Sequence, residues 1–326
     1  MAALIISPAC VRSRSAAAVS LAAILFLTSC AFVQPRSLTQ REEMTNLVSE
    51  VKAFGRSLGI EPTEALTKRG GAESALSMLW LWMQRAGSIA LRVPIDIRLA
   101  IGFHSESERL KIEQVYRVEG YSVYYRQGNE FADARSVVTT GFADEPLVRR
   151  VKVILHEDLH GDVNFALPWE IEEAIVTPLG SLAAVEYFRR RGDQMAVRSA
   201  AASVAEERAL SRELLTLAAE AEKIFAALPV DGAKEKILER LAEYPVYRGR
   251  FERQVEDQHA ATALEAKLSH DLAYYRYYDR IAELAEKAPS LKTLVADLKA
   301  LPSDTDLAAA EKLLQGLSSR YYTAAK

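Results

Sequence analysis

The chain has 326 residues, 49% of them hydrophobic and 26% charged, with a formal net charge of −3. This is ordinary for a globular protein with a sizeable core and excludes a low-complexity or charge-dominated disordered chain. There is neither a basic excess nor a basic stripe interleaved with aromatics, so no nucleic-acid partner is expected.

The N-terminus reads as a targeting segment. Arg12 and Arg14 precede the apolar run AAAVSLAAILFL (16–27), which is too short to span a bilayer. Leu27-Thr28-Ser29-Cys30 closes the run and resembles a bacterial lipobox, which implies cleavage before Cys30 and lipidation of its thiol. Residues 1–29 are then a signal peptide, 30–37 a tether and 38–326 a single domain. The lipid on Cys30 would anchor that domain to a membrane of the bacterial cell envelope, outside the cytoplasm. Residues 1–29 carry two Arg and no other charge, so the mature charge is −3 − 2 = −5. Such a body has no attraction for anionic lipid, and the acyl chains must supply the anchor. Cys10 leaves with the signal, so any metal must be held by His, Asp or Glu.

Residues 39–42 (TQRE) have capping-box spacing and predict a helix ending near Gly59. The apolar run within 73–85 (ESALSMLWLWMQR) predicts a second, buried helix. Residues 95–103 (IDIRLAIGF) alternate and predict a strand, and SESE (105–108) caps a short helix. YSVYYR (121–126) and SVVTTG (136–141) predict further strands. Asp144 and Pro146 start a helix that ends at Gly161, and Pro168 opens the next, to about Arg191. Beyond lie helices over 194–227, 231–243, 250–287, 291–300 and 305–318, rich in strong helix formers. The expected fold is α+β and helix-rich: a small zincin-like sheet and metal-site part (38–190), then a helical part (191–326).

The sharpest motif is HExxH, His156-Glu157-Asp158-Leu159-His160, within VKVILHEDLHGD (151–162). On a helix, residues four apart lie about 40° apart around the axis, so His156 and His160 can share one metal. Glu157 stands about 100° from His156, beside the pair, where it can take a proton from a water molecule without occupying a coordination position. Ile154, Leu155, Leu159 and Val163 fall on the opposite side and are expected to pack on the sheet. Asp158 falls near that packed side, at its edge or paired with an Arg, because a buried lone charge is costly.

A catalytic zinc needs a third protein ligand. PWEIEEAIVTPLG (168–180) offers Glu170, Glu172 and Glu173. If its helix returns antiparallel, Glu173 is level with His160, Glu172 is level but turned 100° away, and Glu170 sits about a turn too low. Geometry therefore favours Glu173, with Glu172 and Glu170 as alternatives.

TTGFADEPL (139–147), LHEDLH (155–160) and EEAIVTPLG (172–180) together resemble segments of the bacterial predicted aminopeptidase family, zinc-dependent lipoproteins carrying HExxH. ALEAKLSHDLAYYRYYDRI (263–281) is similar to a late segment of the same family. The resemblance implies one Zn²⁺ per chain on His156, His160 and Glu173, with Glu157 as general base and a peptide as substrate. The departures are Asp158 for an apolar residue, Glu172 for Asn, and Pro178 inside a helix.

Other signals are weaker. Tyr274, Tyr275, Tyr277 and Tyr278 read as a packing stripe, one of which could stabilise an oxyanion. His259 and His270 share a helix face and read as surface residues, and Tyr124 and Tyr125 read as a cross-strand pair. SVVTTG could hold a substrate strand beside the metal helix. The function expected is a lipid-anchored zinc metallopeptidase of aminopeptidase type. The alternative is a non-catalytic helical lipoprotein acting as a binding module. If Cys30 carries the lipid, Cys30→Ser moves the protein from the membrane to the soluble fraction on cell fractionation; unchanged partition would contradict the lipobox reading.

Overall fold

A computed structural model describes residues 36–70, 78–101, 105–128, 132, 134, 136–162, 167–256 and 258–324. Cys30, the signal segment and most of the tether lie outside these residues, as do His104 and Val163. Residues Ser37–Lys326 form one compact unit. It is helix-rich, with a small sheet and a helical C-terminal half. Among the described residues no helix is long and apolar enough to cross a membrane.

The first helix, α1 (Arg36–Ser57), ends near Gly59 as expected but begins before the capping-box residues, so Thr39 lies within it and does not cap it. Over its described part, 78–85, the second predicted helix does not form. Met78–Arg85 is strand β2, the centre of an antiparallel three-stranded sheet between β3 (Ile97–Ile101) and β4 (Tyr121–Gly128). Both faces of β2 are covered, so its sequence reads as a continuous apolar run rather than an alternating one, and periodicity cannot separate that from a buried helix. Leu79, Leu81 and Met83 join Val123 under α2 (Glu106–Val118), whose N-cap is Ser105. On the other face Trp82 pairs with Arg98 and Tyr124, and Trp80 with Arg126. Tyr124 and Tyr125 therefore point to opposite faces and are not a pair.

The segment predicted as a strand over 136–141 is mostly something else. Only Val137–Val138 (β5) pairs, in parallel with Lys68–Arg69 (β1), in a separate two-stranded sheet. Thr139 then caps a short helix, α3 (Thr140–Asp144), through Phe142 N–H. It is thus no edge of the main sheet.

Helices α4 (Leu147–Gly161) and α5 (Trp169–Arg191) form as expected, and α5 continues through Pro178. After α6 (Gln194–Ala227) and α7 (Val230–Arg240), the helix expected over 250–287 is three: α8 (Pro245–Gln254), α9 (Ala260–Tyr275) and α10 (Tyr278–Lys287). No Gly or Pro marks these breaks. The second is tied by a long-range contact, the Arg276 guanidinium donating to the carbonyls of Ala90 and Leu91. Helices α11 (Leu291–Lys299) and α12 (Leu307–Ala324) complete the chain.

The apolar side of α4 does not pack on the three-stranded sheet. Ile154, Leu155 and Leu159 are buried in a helical core with Met44, Val48 and Val51 of α1 and residues of α5 and α10 to α12. A second core sets Trp82 and Tyr124 of the sheet against α6, α8 and α9. Apolar residues on both sides of position 191 enter each core, so the two parts of the chain are built around common interiors.

Asp158 points into this interior and is fully buried. Its partner is not an Arg. Lys52 of α1, itself buried, forms an ion pair with Oδ1, which also accepts from the backbone N–H and hydroxyl of Thr63 at 2.9 Å each. The carboxylate thus ties α4 to α1 and to the segment after it. Removing one member of a buried pair leaves the other without its counter-charge, typically a loss of about 3–5 kcal/mol. Asp158→Leu should therefore destabilise the protein by about that amount in urea unfolding, and Lys52→Met added to it should recover most of the loss; an unchanged urea midpoint in Asp158→Leu would contradict this.

Candidate metal centre

Helices α4 and α5 run antiparallel and touch along one row of each. Lys152, His156 and His160 form the row on α4, four residues apart; Glu173, Thr177 and Gly180 form the row on α5. A Cβ at Gly180 would lie 3.2 Å from His156 Cβ and 3.3 Å from the Lys152 carbonyl. Any side chain there would require the helices to give by a few tenths of an ångström, so glycine suits the close approach that carries Glu173 to the histidines.

The two histidines and Glu173 offer one ligand atom each, all within 4.8 Å of one another. The Nε2 atoms of His156 and His160 are 3.1 Å apart, and Glu173 Oε2 lies 3.2 Å from His160 Nε2 and 3.6 Å from His156 Nε2. Glu173 Oε1 accepts from the Trp169 indole at 3.1 Å, while Oε2 is buried with no hydrogen-bond partner. Burial opposes ionisation of Glu173, but the nearby charge of His160 outweighs it and holds the carboxyl down to about 2. Burial pushes His156 down to about 3, aided by His160, so its ring is a neutral donor.

Glu172 is not in the cluster. Its Oε1 lies 2.8 Å from His160 Nδ1, where it orients the ring and leaves Nε2 for the centre. Spacing placed Glu172 level with His160 but turned away; it did not show that 100° of rotation reaches the far nitrogen of the same ring. Glu170 is not part of the cluster.

The cluster opens into a cavity of about 520 Å³, bounded by the sheet face of Trp80 and Trp82, by α4 and α5, and by residues of α6, α8 and α9. Glu157, 7% exposed, lines it next to the cluster. So do His270 and Tyr274 of α9. His259 is exposed, as expected, but His270 is buried, with its ring 4.3 Å from that of Trp82 and 4.9 Å from that of Tyr274. Its Nδ1 donates to Asp271 Oδ1 at 2.8 Å, and Asp271 also accepts from Tyr247 and Lys267. His270 Nε2 has no partner. The adjacent Asp271 was the sequence signal for such a histidine. The four tyrosines also divide: Tyr274 and Tyr275 line the cavity, whereas the Tyr278 hydroxyl donates to Glu207 and the Tyr277 hydroxyl to the Leu307 carbonyl.

Comparison with known protein families, curated proteins and solved structures gives no match.

Burial pushes His270 down to about 4, against the upward pull of Asp271. The unfolded ring titrates near 6.5, so its contribution to stability is present above that pH and is lost as pH falls toward 4. In that window a proton taken up only by the unfolded chain gives a slope of about 1.4 kcal/mol per pH unit. His270→Gln should lose this component when unfolding free energies of the two proteins are compared from pH 7 to 4. Parallel profiles would contradict it.

Proposed function

We propose that the chain is a zinc-dependent peptidase with a zincin-like centre, in keeping with its resemblance to bacterial predicted aminopeptidases, and that Cys30 anchors it by lipid outside the cytoplasm. The observation that carries the reading is the convergence of His156, His160 and Glu173 on one point beside Glu157. The donor set fits the ion. Two imidazoles and a carboxylate are a catalytic zinc set, and three donors about 2.0–2.1 Å from a tetrahedral ion stand about 3.3 Å apart. The separations of 3.1, 3.2 and 3.6 Å agree with this. The unpartnered Glu173 Oε2 is also accounted for, since a buried carboxylate oxygen is rarely left without a partner.

When bound, zinc supplies Lewis acidity to a carbonyl oxygen and to a water molecule. The other work falls to side chains. Glu157 takes the proton of the attacking water and returns it to the leaving amine nitrogen. Burial, with the Glu173 charge, raises Tyr274 well above its usual pKa, so its hydroxyl keeps its proton and can donate to the oxygen where charge develops. Glu172 keeps His160 in one tautomer, the task of a carboxylate behind a ligating imidazole.

The test separates chemistry from folding. Glu157→Gln should keep zinc and lose about 10²–10⁴-fold in peptide hydrolysis, the usual general-base contribution. His156→Ala and His160→Ala should abolish zinc binding by equilibrium dialysis. Glu173→Ala should weaken it more than Glu172→Ala, for which a loss of about 10–100-fold is expected. Full activity in Glu157→Gln, or no zinc in the carefully purified wild type, would overturn the proposal and favour a non-catalytic binding module.

A further inference from the structure

The charges that line the cavity are unevenly matched. Its carboxylates, among the described residues, are Glu157, Glu172, Glu173 and Glu207. Glu172 is held by His160, and Glu173 belongs to the cluster. Glu207 pairs with Lys152 and accepts from Ser181 and Tyr278. Glu157 is needed as the base. Among the described residues none is left to hold an α-ammonium group, which an enzyme reading the amino end of a peptide requires.

The cations show the opposite. Lys152 is matched by Glu207, and Arg149 lies 3.3 Å from Glu145. Arg98, Arg126 and Arg250 line the same cavity and have no carboxylate in ion-pair contact among the described residues. Each is built in. Arg98 lies over two rings, 4.8 Å from the centre of Trp80 and 4.1 Å from that of Trp169. Arg126 stands opposite Trp80 in the sheet register, on the cavity face, and is exposed there. Arg250 lies 4.6 Å over the ring of Tyr275, with its Nε buried and unpartnered. Aromatic faces hold guanidinium planes in place without consuming their N–H groups, and a buried N–H with no acceptor is costly. A planar two-oxygen anion is the group that a guanidinium binds best.

We propose that Arg126 and Arg250, with Arg98, form a subsite for a carboxylate of the substrate. This rests on the peptidase reading and narrows it. The cavity takes a short peptide or acylated amino acid with a free carboxylate, and that acidic end, rather than the amino terminus, is what it recognises. A volume of about 520 Å³ suits a ligand of that size. The carboxylate can come from the C-terminus or from an acidic side chain.

The test uses binding to the chelator-dialysed full-length protein, so that no carboxylate is held through a metal and no turnover intervenes. Calorimetry compares three probes: N-acetyl-alanyl-alanine, its C-terminal amide, and N-acetyl-alanyl-aspartic acid α-amide, whose only carboxylate is in the side chain. The free acid should bind at least about tenfold tighter than the first amide, as expected for charge-assisted hydrogen bonds. Arg126→Gln should erase that preference, as should Arg250→Lys to a lesser degree, with folding checked by circular dichroism. The side-chain acid matching the C-terminal acid would support the subsite and show that it reads either source; binding only the C-terminal acid would support it and assign the C-terminus. Binding of the side-chain acid alone would support the subsite and assign the side chain; equal affinity for all three probes, no binding of either acid, or a preference that survives in Arg126→Gln would overturn the subsite. Acid-selective binding together with no hydrolysis by the zinc-loaded wild type would instead sink the peptidase reading and leave the subsite standing.

Discussion

The close approach of α4 to α5 is the constraint on which the centre depends. Two helices normally stand apart by the depth of their side chains. At Gly180 there is none, and a Cβ would come within 3.2 Å of His156 Cβ. Seven residues earlier, two turns along the same face, Glu173 is thereby set against His156 and His160. Glu172, next to it, reaches past the pair to the outer nitrogen of His160. One contact between backbones thus determines both the third member of the cluster and the group that orients its neighbour.

Charge holds the surrounding helices in register with that contact. On the side of α4 away from the cluster, Asp158 is tied to Lys52 of α1. On the other side Lys152 is tied to Glu207 of α6, which also accepts from Tyr278 of α10. Within α9, Asp271 accepts from Lys267, Tyr247 and His270 at once. Buried pairs of this kind add little net stability compared with apolar packing, but each is costly to break. The helix bearing HExxH is held from two sides by such pairs, so its charged positions, which look out of place on an apolar helix, fix its rotation as well as its depth.

Much of the centre was legible. The spacing of His156, Glu157 and His160 is a property of one helix, and helix geometry is the same wherever a helix forms. The level of Glu173 followed from two helices and the short loop between them. The role of Glu172 was not, because it depends on which ring nitrogen faces which helix. The partner of Asp158 was expected to be an arginine and is a lysine more than a hundred positions away. Spacing alone reads His270 as a surface residue, because it reports a face and not what covers that face.

The same division runs through the fold. Helices α1, α4, α5 and α6 could be read from the chain because caps, prolines and a 3.6-residue period act over a few neighbouring residues. The strand of Met78–Arg85 could not, since burial on both faces removed the alternation that distinguishes a strand. Nor could the break between α9 and α10, where Arg276 is held by carbonyls of residues 90 and 91. Local sequence set the elements whose hydrogen bonds close within a few residues and the histidine pair that one of them carries. The long-range packing set which residues those elements face, and with it the third member of the cluster, the buried partners of the charges and the cavity wall, because all of these depend on segments far apart in the chain meeting in space.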